Sequence, residues 1–147
     1  MGDSFLADIP GNRFVMSLGS TGAIASNGAG AVLGQSYFVA PADLKVLDVR
    51  KVGTAAEVTA GTAISSASYR RFVLLNGGTS GTGTTIMASL NNTASGGVGG
   101  KKSFATTANN TASEGQVLYL SQLTVGAATA DGTDAAASAF QLEYQLL

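Results

Sequence analysis

AFQLEYQLL, residues 139–147, decides the fold. Phe140, Leu142, Tyr144 and Leu146 alternate with Gln141, Glu143 and Gln145, so a period of two puts the apolar residues on one face. That is the pattern of a half-buried antiparallel strand. Working back toward the N-terminus, the same kind of run recurs. QSYFVA spans 35–40, LKVLDVRKV 44–52 and YRRFVLL 69–75, followed by runs at 84–90, 103–107 and 116–125. Gly, Ser, Thr and Asn turns separate them. No stretch of ten or more residues joins a 3.6-residue period to helix-forming composition, and AATADGTDAAASA at 127–139 admits only a short helical turn. About eight short strands of this type predict an all-β protein, an antiparallel β-sandwich of the jelly-roll kind, with an immunoglobulin-like sandwich as the alternative.

A chain of 147 residues is long enough for one core without disulfide or metal staples. The expected division is an extended arm over 1–34 and the β-sandwich over 35–147. The arm ends in GSTGAIASNGAGAVLG, residues 19–34, which has little that could anchor a core. Ahead of that segment stand Phe5, Leu6, Ile9 and Phe14, with Arg13 as a polar fix. These five residues are the expected contact set, packing either on the parent domain or on another subunit.

Composition narrows the function. Histidine and cysteine are both absent, which removes the commonest general base, Ser-His-Asp arrangements, thiol nucleophiles and thiolate metal sites. The acids are scattered singly rather than paired across a cleft. Asp131 and Asp134 come closest to a pair, but ADGTDA lacks the other ligands of a calcium loop. No enzyme activity, cofactor or metal is expected. Only 12% of residues are charged, the net charge is −1, and no basic block exceeds two residues, so nucleic acid is not an expected partner. No apolar run approaches 18 residues, and no membrane partner is expected. MGDSFLADIPGNRF shows no basic leader with an apolar run, which predicts synthesis in a host cytoplasm.

Three motifs admit a bland reading beside a sharp one. NGGTSGTGTT, 76–85, has the glycine spacing of a phosphate-binding loop, but Thr84 stands where the lysine is required and a strand-like run follows, so a hairpin connection is expected. Arg70 and Arg71 read as solvated or contact arginines. Lys101 and Lys102 read as a solubilising loop tip.

The order of features, VTAGTAISS at 58–66, YRRFVLLNGG at 69–78, TTIMASLN at 84–91, EGQVLYL at 114–120 and the terminal AFQLEYQLL, resembles the jelly-roll decoration (cement) proteins on the heads of tailed bacteriophages. The resemblance covers roughly residues 35–147. It implies a homotrimer on the virion's capsid surface that binds the major capsid protein and stabilises contacts between capsomers. It offers no catalytic residues. The alternative from another class is a carbohydrate- or receptor-binding sandwich of a phage fibre or tail, for which the chain supplies no tryptophan and only 7% aromatic residues.

Overall fold

The computed structural model describes residues 12–21, 36–53, 69–92, 100–125 and 138–147. Within them run β1 (Arg13–Thr21), β2 (Ser36–Val39), β3 (Leu44–Gly53), β4 (Tyr69–Asn76) and β5 (Thr85–Asn92). Then follow β6 (Lys101–Ser103), β7 (Ala105–Thr106), β8 (Thr111–Ala112), β9 (Val117–Val125) and β10 (Ser138–Leu146). They form two antiparallel sheets. The first has the order β1-β10-β3-β6, with β8 also on β3, and the second has the order β2-β9-β4-β5-β7.

The pairing is nested. β1 pairs β10, β2 pairs β9, β3 pairs β8 and β6, and β4 pairs β5. One long ribbon folded on itself gives this arrangement, and it is the jelly roll. In an immunoglobulin-like sandwich the first strand pairs the second, so the strand order rules out that alternative.

Alternation explains the core. On β10, Phe140 and Leu142 are 1% and 0% exposed while Gln141 faces solvent. Opposite them on the second sheet lie Phe72 and Leu74 of β4 and Leu118 and Leu120 of β9, all buried. Phe72 meets Phe140 across the sandwich with ring centroids 5.4 Å apart, and Phe104 meets Phe140 edge-on at 6.4 Å. These ring pairs join the two sheets in geometries that aromatic quadrupoles favour.

Three bulges shift the alternation. The register slips between Ser17 and Gly19 on β1, between Val46 and Asp48 on β3, and between Leu74 and Leu75 of β4 as they face Ala88 and Ile86 of β5. Each leaves one extra residue, namely Leu18, Leu47 and Met87. Leu18 and Met87 are buried, so these two bulges each turn an additional side chain into the core.

Two sequence expectations change. The arm expected over 1–34 contains, at Arg13–Thr21, an edge strand hydrogen-bonded along β10, so the sandwich takes in a segment assigned to the arm. The reason is that Phe14, Met16 and Leu18 supply an apolar face that packs on the core when β1 pairs β10. The strand expected at 103–107 is split by Phe104, whose N–H donates to the Val49 carbonyl at 2.8 Å. This buried corner carries the chain from β6 on the first sheet to β7 on the second.

Candidate interaction surface

β1 and β2 are the outermost strands of their sheets and lie side by side along one flank of the sandwich. Tyr144 holds the seam between them. Its ring stacks on Phe14 at 5.5 Å and meets Phe38 at 5.6 Å, so an aromatic run from β1 through β10 to β2 closes the flank. Phe14 faces inward, opposite Tyr144 in register, yet it stays 41% exposed because its strand is at the edge.

The next residues point away from the core. Val15, opposite Glu143, stands on the outer face of the first sheet and is 60% exposed. Tyr37 and Val39, opposite Tyr119 and Val117, stand on the outer face of the second, at 68% and 58%. Tyr37 stacks on Tyr119 at 5.6 Å, which fixes one ring as a platform for the other. Among the described residues, the exposed large apolar side chains are these four and Leu147. Isolated exposed apolar residues are ordinary; here Tyr37 and Val39 share the outer face of the second sheet, while Val15 stands on the outer face of the first and Phe14 lies at the seam between them.

A charge network lies beside Val15 on the outer face of the first sheet. Arg50 of β3 donates from Nε to Asp48 and from Nη2 to Glu143 of β10, both at 2.6 Å, and Arg13 of β1 reaches Glu143 at 3.9 Å. The hydrogen bond to Asp48 raises the Arg50 pKa above its usual value, so this guanidinium stays charged throughout. These two arginines and two acids form a mixed-charge network on the first sheet's outer face, which also carries the exposed Lys45 and Lys101.

Of the five expected contact residues, Phe5, Leu6 and Ile9 lie outside the described residues. Arg13 and Phe14 sit on β1 with side chains on opposite faces, so they do not converge on one contact. Arg13 instead turns toward Glu143 of its own chain. Sequence reasoning missed Val15, Tyr37 and Val39, whose exposure depends on β1 and β2 being edges.

The other motifs resolve as follows. NGGTSGTG is the β4–β5 connection. Gly77 N–H donates to the Val117 carbonyl at 2.7 Å, Gly78 N–H to Asn76 Oδ1 at 2.8 Å and Gly83 N–H to the Gly77 carbonyl at 2.8 Å. A phosphate would need those donors free, and here they hold the loop closed. Gly78 and Gly81 take φ of 66° and 73°, the left-handed region that glycine supplies. Arg70 departs from its solvated reading: it is 3% exposed, because β4 is a central strand and Arg70 shares the inner face with Phe72. Asp131 and Asp134 lie outside the described residues. Among those described, no group of three or more His, Cys, Asp or Glu could hold a metal ion.

At the end of the sandwich where β4 turns into β5 lies an open groove of about 480 Å³, lined by Asp43, Asn76, Asn109 and Gln116 among others. Much of its polarity is already committed. Asn76 Nδ2 donates to Gln116 Oε1 at 2.7 Å, and Asp43 Oδ1 accepts from the Glu114 N–H at 2.9 Å. Its lining includes no aromatic side chain among the described residues.

No protein-family model matches the chain, and no curated protein matches it. Two solved structures share its outline. One is a structure of infectious bursal disease virus, Gx strain, at 11% identity and a TM-score of 0.44. The other is the VP2 subviral particle of infectious bursal disease virus, at 13% identity and a TM-score of 0.42. Each match covers 91% of this chain but 32% of the other, so the chain spans about a third of their length.

Proposed function

We propose that the protein is a non-enzymatic structural component of a virion that binds the outside of a phage capsid, as a homotrimer, and stabilises contacts between capsomers. The observation that carries this reading is the exposure of apolar side chains along two adjoining edge strands, with Phe14 at the seam, Val15 on one outer face and Tyr37 and Val39 on the other. Edge strands with apolar side chains are places where another chain docks, because both backbone pairing and apolar burial are on offer. The low charge of the chain suits adhesion over a broad surface, since few ions would have to be desolvated.

The test titrates purified protein onto capsid shells stripped of accessory proteins, with light scattering on the free protein. Saturable, stoichiometric binding by a trimer is the expected result. A monomer that leaves the shells bare overturns the proposal. Truncating residues 1–18 is a poor test, because it deletes β1 as far as Leu18 and strips β10 of its neighbour. Substitutions at Val15 and Val39 alter the flank while leaving the core intact.

A further inference from the structure

At the end of the sandwich where β5 gives way to β6, the space between the sheets is polar. Lys51, Arg70, Asn92, Gln122 and Ser138 are buried there, at 3% exposure or less. Register places them. Lys51 of β3 stands opposite Lys102 of β6, and Arg70 of β4 stands opposite Asn92 of β5. Lys102 and Asn92 therefore belong to different sheets, and their side chains meet across the gap: Lys102 Nζ is in close contact with Asn92 Oδ1.

We propose that this contact matures into a covalent one, an intramolecular isopeptide bond between Lys102 and Asn92. After its ammonium gives one proton to solvent, Lys102 Nζ attacks Cγ of Asn92, the atom bonded to the oxygen it contacts. A new Nζ–Cγ bond forms and the Cγ–Nδ2 bond breaks. One proton from the attacking nitrogen passes to the departing Nδ2, which leaves as ammonia. Amine plus carboxamide gives secondary amide plus ammonia, with no oxidant, reductant or other reagent.

Three features favour the step. The fold holds the two groups in contact, which removes the entropic cost of bringing them together. Asn92 is 1% exposed, so water does not compete for Cγ. Arg70 stands opposite Asn92 in register and is buried on the same inner face, a cation on the neighbouring strand in the site where negative charge develops during attack. The product ties β5 of the second sheet to β6 of the first, at the end of the sandwich away from the β4–β5 turn.

The decisive measurement is the intact mass of the full chain after purification and denaturation. The expected value is the sequence mass less one ammonia, with Lys102→Arg, which keeps a donor and a positive charge, at its own full sequence mass. Trypsin should then release residues 72–101 joined to residues 102–147 through their side chains, with no cleavage after Lys102. An unmodified protein at full sequence mass overturns the proposal. So does an ammonia loss that persists in Lys102→Arg, since cyclisation at Asn76–Gly77 would lose the same mass. Because the joined tryptic peptide of the unsubstituted protein distinguishes the bond from cyclisation, a variant that fails to fold does not blunt the test.

Discussion

Phe14 and Tyr144 stack with ring centroids 5.5 Å apart and planes inclined by 23°, joining the first long strand to the last. Phe14 is partly exposed, and Tyr144 is 9% exposed beneath it. Phe14→Ala removes an aromatic pair and uncovers Tyr144. We expect a loss of about 1–2 kcal/mol, read from the urea midpoint at unchanged m-value.

The outward residues of the same flank behave differently. Val15→Ser and Val39→Ser touch no core side chain, so each is expected to leave stability within about 0.5 kcal/mol. Under the decoration proposal the double variant binds stripped capsid shells at least about tenfold more weakly, equivalent to about 1.4 kcal/mol. Full-strength binding by a folded double variant would move the contact away from this flank.

The C-terminal strand offers a sharp contrast between neighbours. Leu142 is fully buried between β1 and β3, and Leu142→Ala is expected to cost about 3 kcal/mol through lost transfer and a residual cavity. Gln141, one residue away and exposed, is expected to tolerate alanine within about 0.5 kcal/mol. Equal effects at the two positions would contradict the assigned faces.

The β4–β5 turn distinguishes two reasons for glycine. A Cβ on Gly83 would lie 2.9 Å from the Gly77 carbonyl carbon, and a Cβ on Gly77 would lie 2.8 Å from Gly81 backbone atoms, so neither neighbour is a side chain that can swing aside. Gly78 has open space around it and only its φ of +66° to defend. Thermal denaturation should show Gly78→Ala costing about 1 kcal/mol, and Gly77→Ala and Gly83→Ala about 2–3 kcal/mol each.

How much of the fold was legible depends on whether local pattern or strand order decides. Phe140, Leu142 and Tyr144 announced their face because β10 has a partner on each side and keeps its alternation over most of its length. β1 was hidden: RFVMSLGST carries the Leu18–Gly19 bulge, which breaks the period after Leu18, and its partner lies more than a hundred residues on. Arg70 was misread because an arginine on a central strand looks, in sequence, like one on an edge. The flank suffered from the same blindness. Tyr37 and Val39 are exposed since β2 ends its sheet, and periodicity carries no word of which strand is last.

The nested pairing also sets a timetable for synthesis. β1 emerges from the ribosome well over a hundred residues before β10, which at about 5–20 residues per second is a wait on the order of ten seconds. Through that interval the apolar face of Phe14, Met16 and Leu18 has no strand to pair with, while the β4–β5 hairpin can already close. Newly made chains therefore pass through a stage in which each carries an open β1, and neighbouring chains on one message can trade it. Conditions that slow elongation should accordingly increase swapped or aggregated product, even where the finished protein is stable.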